Sequence, residues 1–185
     1  SADELEAMFI EAARGMLAAT TRTVRSTAPA TVTGLVQGLG GPVLLWAHPT
    51  LEETGIAAAV RQGFETAEWD PKNPAQSIEY ARRAETGVVF AEYAIADCGL
   101  MVLFSSPEQG RGASLLPRNT GAQSRILPRV VQLAQILRAK AKAGESLLSC
   151  VNLIGGPSST ADIELIKVVG VHGPTKAEYV VIDDL

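Results

Sequence analysis

The sequence predicts an α/β fold in which helices pack on the faces of a mostly parallel sheet. Segments with helix-start signals alternate with short apolar segments along the first half of the chain, and this alternation is typical of parallel sheets. Apolar residues make up 46% of the sequence and charged residues 19%, which favours a packed core over a disordered chain. The 185 residues suit one domain, and we assign residues 1–185 to it.

Four helices and the strands between them account for the first half of the chain. The helices are predicted to begin near residues 3, 27, 50 and 73. Thr50, with Glu53 three residues later, is expected to cap the third helix, which ends at Gly63. The strands are predicted at residues 20–25, 43–47 and 64–69, and from residue 87 onwards.

The second half is less regular. We predict a strand at residues 99–105, a loop at 106–114, a helix from Pro128 to Gly144 and a strand at 146–154. Residues 166–171 and 177–183 flank a turn-like segment at 172–175. This pattern predicts a C-terminal hairpin that adds antiparallel strands to the parallel core.

Composition and charge disfavour several classes of function. The net charge is −4 with acids and bases mixed, which is not the basic surface expected of a nucleic-acid binder. Cys98 and Cys150 form no Cys-x-x-Cys pair, and His48 and His172 are the only histidines, so neither an iron–sulfur cluster nor a zinc site is predicted in this chain. An acidic start and the lack of a ~20-residue apolar run predict a cytoplasmic protein without a membrane span.

Hydroxyl side chains follow the strand predicted at residues 146–154. Gly-Gly-Pro-Ser-Ser-Thr-Ala-Asp-Ile-Glu stands at residues 155–164. Ser159 and Asp162 fit a capping box, which would account for both residues structurally. The functional alternative is that Ser158 and Thr160 donate hydrogen bonds to an anion at the start of a helix.

A glycine-bearing loop offers a second candidate site. Arg111 stands between Gly110 and Gly112. Its guanidinium could hold a carboxylate or phosphate in a bidentate manner, while the glycines would let the backbone approach a ligand. A mobile surface loop would explain the same glycines.

Two acidic residues bracket the connection between two predicted strands. Glu92 and Asp97 stand where α/β proteins commonly place their sites. Such carboxylates could perform acid–base chemistry, or Glu92 could act as a nucleophile. Ordinary turn chemistry is the structural alternative for both residues.

Several segments, taken in order, resemble the LUD-domain family. They are residues 155–164, Gly-Val-His-Gly-Pro at 170–174, Ala-Ile-Ala-Asp-Cys-Gly at 94–99, Gly-Arg at 110–111 and Ser-Leu-Leu-Pro at 114–117. The resemblance extends over nearly the whole chain. Many relatives have a histidine a few residues after Leu-Leu-Pro, where this chain has Arg-Asn-Thr-Gly at 118–121.

This resemblance implies a fold and a role. The fold would be a three-layer α/β/α sandwich of the NagB/RpiA/CoA-transferase-like type. The chain would be a non-redox subunit or accessory of a bacterial system that oxidises L-lactate to pyruvate, with iron–sulfur clusters only in partner subunits and no cofactor of its own. Arg111, Ser158, Thr160 and His172 are then the expected ligand-binding residues of an anion pocket for a small carboxylate or phosphate.

Two other functions stay open at the level of sequence. One is a stand-alone isomerase, transferase or cyclo-ligase of the same fold group, acting on a phosphosugar, a CoA thioester or a folate, with Glu92 and Asp97 as its acid–base or nucleophilic residues. The other is an interaction module without a small-molecule site.

Overall fold

The computed structural model describes residues 1–115, 119–123, 125–145, 149–160 and 168–185, with the backbone alone for 119–123. The helices are α1 (Ala2–Gly15), α2 (Ala28–Leu39), α3 (Pro49–Glu53), α4 (Ile56–Gly63), α5 (Pro74–Arg83), α6 (Gly112–Leu115) and α7 (Val130–Lys142). The strands are β1 (Ala19–Thr23), β2 (Val43–Leu45), β3 (Thr66–Glu68), β4 (Thr86–Ala91), β5 (Tyr93–Ile95), β6 (Leu100–Phe104), β7 (Asn119–Gln123), β8 (Ile126–Leu127), β9 (Val151–Ile154), β10 (Ser159–Thr160), β11 (Val168–Val169) and β12 (Lys176–Ile182).

A six-stranded parallel sheet forms the centre of the fold. Its strand order is β1-β12-β7-β4-β2-β3, and each neighbouring pair runs parallel. The predicted mixed α/β class with a mostly parallel sheet is therefore confirmed. The finer prediction of the NagB/RpiA/CoA-transferase-like type stays a prediction.

The expected C-terminal hairpin is wrong. β12 lies inside the parallel sheet between β1 and β7, whereas β11 pairs antiparallel with β10. The loop at residues 170–175 therefore joins two different sheets and is not a hairpin turn. The buried run of residues 179–182 explains this placement, because a strand that is apolar on both faces is stable only when both faces are covered.

Each face of the central sheet has its own apolar core. On one face, Val43, Leu45 and Phe90 pack with side chains of α2, α3 and α4. On the other face, Leu44 and Tyr179 pack with α1, α5, α6 and the strands β5 and β6. Helices thus cover both faces, and side chains alternate between the two cores along β2.

A second sheet extends the face that carries α1 and α5. Its order is β8-β5-β6-β9, with β6 antiparallel to both β5 and β9. Leu133 of α7 packs on this sheet with Ile95, Val102 and Phe104. Among the helices of the described residues, none is long and apolar enough to cross a membrane.

The predicted third helix is interrupted. α3 ends at Glu53 and α4 begins at Ile56, because Gly55 has a φ of +77° that breaks the helical hydrogen bonds. The cap is also different from the expected one. His48, and not Thr50, is the N-cap of α3, and its ring nitrogen accepts the backbone N–H of Thr50.

Candidate functional site

Two neighbouring strands of the central sheet direct the chain to opposite faces. β2 is followed by α3 and α4 on one face, and β4 is followed by β5 and β6 on the other. In open α/β sheets such a reversal leaves a crevice outside the carboxyl ends of the two strands, where ligands commonly bind. We call it the carboxyl-edge crevice and define it by His48, which follows β2, and Glu92, which follows β4.

The side chains of His48 and Glu92 are in hydrogen-bonding contact beyond the carboxyl ends of β2 and β4. His48 Nε2 lies 3.1 Å from Glu92 Oε1, and His48 Nδ1 accepts the Thr50 backbone N–H at 3.2 Å. Because Nδ1 is an acceptor, the neutral ring carries its proton on Nε2 and donates it to the Glu92 carboxylate. The ring also stacks on Phe90, with centroids 4.3 Å apart. The imidazole is therefore held from three sides.

The two side chains differ in their access to solvent. The His48 side chain is 10% exposed and that of Glu92 is 31% exposed. An irregular register just before Glu92 contributes to this position: Val88 pairs with Gly121 but Ala91 pairs with Gln123, so β4 has one residue more than β7 there. Bulges of this kind bend a strand and reorient the side chains beside them. Glu92 is the member of the pair that a ligand could reach.

Asp97 lies away from Glu92. The two residues stand near opposite ends of β5, and Asp97 hydrogen-bonds with Cys98 instead. Burial, followed by the interaction with Asp97, raises the pKa of the Cys98 thiol to about 11. The expected carboxylate pair is thus divided between two locations with different partners.

The glycine-bearing loop is attached to the sheet by two tryptophans. Trp46 Nε1 donates to the Gly110 carbonyl at 3.0 Å, and Trp69 Nε1 donates to the Pro107 carbonyl at 3.1 Å. A Cβ at Gly110 would lie 2.0 Å from the Trp69 ring, so the close approach that this glycine permits is to an indole. Arg111 is exposed, and its Nη1 lies 4.0 Å from Cys150 Sγ.

Ser158 and His172 come together at the opposite edge of the sheet. They line a cleft of about 330 Å³ with Ser114, Leu115, residues 153–157, Gly173 and Pro174. Residues 170–175 lead directly into the amino end of β12, so we call this the amino-edge cleft. The six residues of β4 place the two edges about 20 Å apart.

Backbone geometry shapes the amino-edge cleft. Gly156 has a φ of +74°, and a Cβ there would lie 1.9 Å from the Met16 carbonyl oxygen. The Gly156 N–H donates to the Tyr179 hydroxyl at 2.7 Å, and this hydroxyl donates to the Ile154 carbonyl at 3.0 Å. Burial raises the pKa of Tyr179 to about 12, so the phenol remains a donor at ordinary pH.

The helix predicted to begin after Pro157 is not observed at residues 159 and 160. Ser159 and Thr160 form β10, which pairs with β11, and Thr160 does not line the amino-edge cleft. Asp162 and Glu164 lie outside the described residues. Of the four predicted ligand-binding residues, the structure brings Ser158 and His172 into one cleft and leaves Arg111 and Thr160 elsewhere.

A wider cleft of about 670 Å³ lies along α1 and is lined by acidic residues with Arg14 and Arg22. Arg22 pairs with both Glu6 and Asp183, so the charges there largely compensate one another. Burial is the main cause that raises the pKa of Glu6. Within the described part of the chain, no group of three His, Cys, Asp or Glu residues is placed to hold a metal ion.

Comparison with known proteins decides the family. A family model described as the LUD domain matches residues 7–182. The chain belongs to the LUD domain family. It is also similar to the uncharacterized protein YkgG of Escherichia coli K12, with 52% identity over 145 residues that cover 77% of this chain and 63% of that protein.

Other relatives of this LUD domain carry a more specific name. Lactate utilization protein C of Bacillus subtilis is 40% identical over 153 residues, covering 78% of this chain and 64% of that protein. The same name and identity apply to a protein of Bacillus licheniformis. The chain thus spans less than two thirds of the length of these relatives.

A solved structure supports the fold. The crystal structure of a DUF162 family protein from Deinococcus radiodurans has a TM-score of 0.69 and covers 98% of each chain at 20% identity. At this identity the likeness concerns the fold alone.

His48 and Tyr179 are the residues that sequence reasoning missed. In the sequence, His48 is a lone histidine before a proline at a strand end, and Tyr179 is one residue of an apolar strand. The signal that could have identified His48 is its position: it is the first titratable residue after β2, as Glu92 is after β4.

Proposed function

We propose that this LUD domain is a component of a lactate-utilization system. The observation that carries the proposal is the 40% identity to lactate utilization protein C over 153 residues. We further propose that the system oxidises L-lactate to pyruvate and that the chain acts there as a non-redox subunit or accessory.

The position of the cysteines supports a non-redox role. Cys98 precedes β6 by two residues, while Cys150 lies beside Ser105, which follows β6. The two thiols are therefore near opposite ends of one strand and cannot ligate a common cluster. Iron–sulfur clusters, and the electrons that leave lactate, would belong to partner subunits.

The amino-edge cleft is the proposed binding place for a small carboxylate. Ser158 and His172 supply hydrogen-bonding groups, while Leu115 and Leu153 supply apolar surface. A three-carbon acid presents a carboxylate and a methyl group, and this combination of lining residues suits both. The volume of about 330 Å³ is at the lower end of the usual range for small-molecule sites.

The role in the pathway is tested by growth. The gene is deleted from its host, and growth on L-lactate as the sole carbon source is compared with growth on glucose. We expect slow or absent growth on lactate only, restored by the intact gene. Normal growth on lactate in a host without a second copy of the gene would refute the proposal.

The cleft is tested separately by calorimetry with pyruvate and L-lactate. Ser158→Ala removes a hydroxyl from the cleft, whereas the matched control Ser159→Ala removes one from an exposed position in β10. We expect the affinity to fall about fivefold to tenfold for Ser158→Ala only, in line with the loss of one hydrogen bond. Equal affinities of the two variants would exclude Ser158 from the site.

The names of the relatives do not favour the alternative of a stand-alone isomerase, transferase or cyclo-ligase. That alternative rests on a fold-group analogy, and one fold hosts many activities.

A further inference from the structure

We propose that the carboxyl-edge crevice is a second ligand site, in which Glu92 accepts a hydrogen bond from the hydroxyl group of a small hydroxy acid and His48 is its positioning residue. The inference rests on the proposed function and deepens it, because L-lactate is such an acid. It concerns a different edge of the sheet from the amino-edge cleft.

The topology places His48 and Glu92 where the chain reverses between two faces of the sheet. β2 and β4 are hydrogen-bonded neighbours, and their continuations depart to opposite faces. His48 and Glu92 follow these two strands and are 44 residues apart in sequence. A pair assembled at this reversal stands where open α/β sheets bind their ligands.

The hydrogen bonds of the pair engage one carboxylate oxygen of Glu92. The backbone of Thr50 occupies His48 Nδ1, so Nε2–H has Glu92 Oε1 as its acceptor. One carboxylate oxygen is thereby engaged from the buried side, and the side chain remains 31% exposed. The other oxygen, Oε2, is an acceptor, which suits a ligand O–H and opposes a ligand carbonyl.

The orientation imposed by His48 leads to a selective test. In Glu92→Gln, His48 Nε2–H still needs an acceptor, so the amide oxygen takes the place of Oε1. The amide NH₂ then takes the place of Oε2 and becomes a donor. Such a site should disfavour the hydroxyl of L-lactate and favour the keto oxygen of pyruvate.

The experiment follows backbone amide resonances by ¹H–¹⁵N NMR during titration with L-lactate and then with pyruvate. We expect saturable shifts for L-lactate at Ala47, Glu92 and Tyr93 in the wild-type protein. Glu92→Gln should lower the affinity for L-lactate, measured at these amides, about tenfold or more. The affinity for pyruvate should be unchanged or higher. Asp97→Asn, which neutralises an exposed carboxylate near the other end of β5, is the matched control and should change neither affinity.

The positioning role of His48 has its own readout. The His48→Ser substitution keeps a side chain that can cap α3 but is too short to replace the imidazole donor to residue 92. In the double variant with Glu92→Gln the amide can rotate, so the preference for pyruvate should disappear. A merely structural role of His48 would leave that preference unchanged, and thermal unfolding of each variant verifies that it is folded.

Three results would overturn the inference. Shifts confined to Gly156 and Gly173 would assign the ligand to the amino-edge cleft and leave the proposed function intact. If Glu92→Gln weakened the binding of L-lactate and pyruvate equally, the proposed hydrogen bond between Glu92 and the ligand hydroxyl would be ruled out. If neither ligand shifted any resonance, the crevice would be ruled out as a site for hydroxy acids. The role in the pathway would then still be tested by growth on lactate.

Discussion

Different chemical groups form the two edges of the central sheet. At the carboxyl edge, two side chains that follow β2 and β4, those of His48 and Glu92, hydrogen-bond directly to each other. At the amino edge, glycines and backbone groups set the shape, and Ser158 and His172 extend from loops. A recognisable motif can thus mark backbone geometry, while a pair of titratable side chains is assembled elsewhere from two residues that lie outside the motif segments.

Gly156→Ala, at the amino edge, should have the largest effect on the free energy of unfolding. A Cβ there would lie 1.9 Å from the Met16 carbonyl oxygen, and the φ of +74° is unfavourable for alanine. We expect a loss of about 3 kcal/mol or more in the free energy of unfolding, measured with urea.

Gly144→Ala is the control for that substitution. Gly144 has a similar φ of +75°, but a Cβ there would meet no atom within 4 Å. It should lose only the conformational part, about 1 kcal/mol. Equal losses in the two variants would show that the contact with Met16 does not shape the amino edge.

Tyr179→Phe should have the next largest effect. The Tyr179 side chain is buried, and its hydroxyl joins the Gly156 N–H to the Ile154 carbonyl. Its removal leaves both backbone groups without that partner, so we expect a loss of about 1–3 kcal/mol in the free energy of unfolding. Tyr80→Phe, which removes a longer contact of 3.5 Å to Glu65, should stay within about 0.5 kcal/mol.

Cys98 should make stability depend on pH at the alkaline end. Its pKa is raised from 9.0 to about 11, chiefly by burial. Because the folded state favours the protonated thiol, this contribution is fully present below pH 9 and is lost as the pH rises through about 11. We expect wild type to lose up to about 2 kcal/mol more than Cys98→Ala across that window. Parallel stability curves from pH 9 to 11 would contradict this.

His48→Ala should have a smaller effect on stability. The substitution removes the acceptor for the Thr50 N–H at the start of α3, and lost caps cost about 1 kcal/mol. His48→Asn should recover part of this loss, because asparagine is a favoured cap. If both variants were as stable as wild type by thermal unfolding, the cap would contribute nothing and His48 would be free for a purely functional role.

Much of the fold follows from the sequence. The segments predicted as strands in the first half of the chain form strands of the parallel sheet. α1, α2, α5 and α7 begin near their predicted starts, because helical spacing of apolar residues specifies them, together with a proline in the first turn of α2 and α5. The family is also recognisable from ordered motifs. These features depend on neighbours along the chain.

The remainder depends on contacts between distant residues. β12 takes a central position because both of its faces are covered. The apolar sequence alone does not distinguish such a central strand from a strand of a hairpin. Gly110 is predicted to approach a ligand, but the residue that it approaches is Trp69. Glu92 is a candidate without a partner in the sequence, and only the sheet order places His48 beside it.

The central claim is that Glu92 belongs to a ligand site and Asp97 does not. The most direct measurement is the growth rate on L-lactate of two host strains, one carrying chromosomal Glu92→Gln and the other Asp97→Asn, with growth on glucose as the reference and protein levels verified by immunoblotting. We predict slow growth on lactate for Glu92→Gln and wild-type growth for Asp97→Asn. Wild-type growth of the Glu92→Gln strain on lactate would contradict the claim.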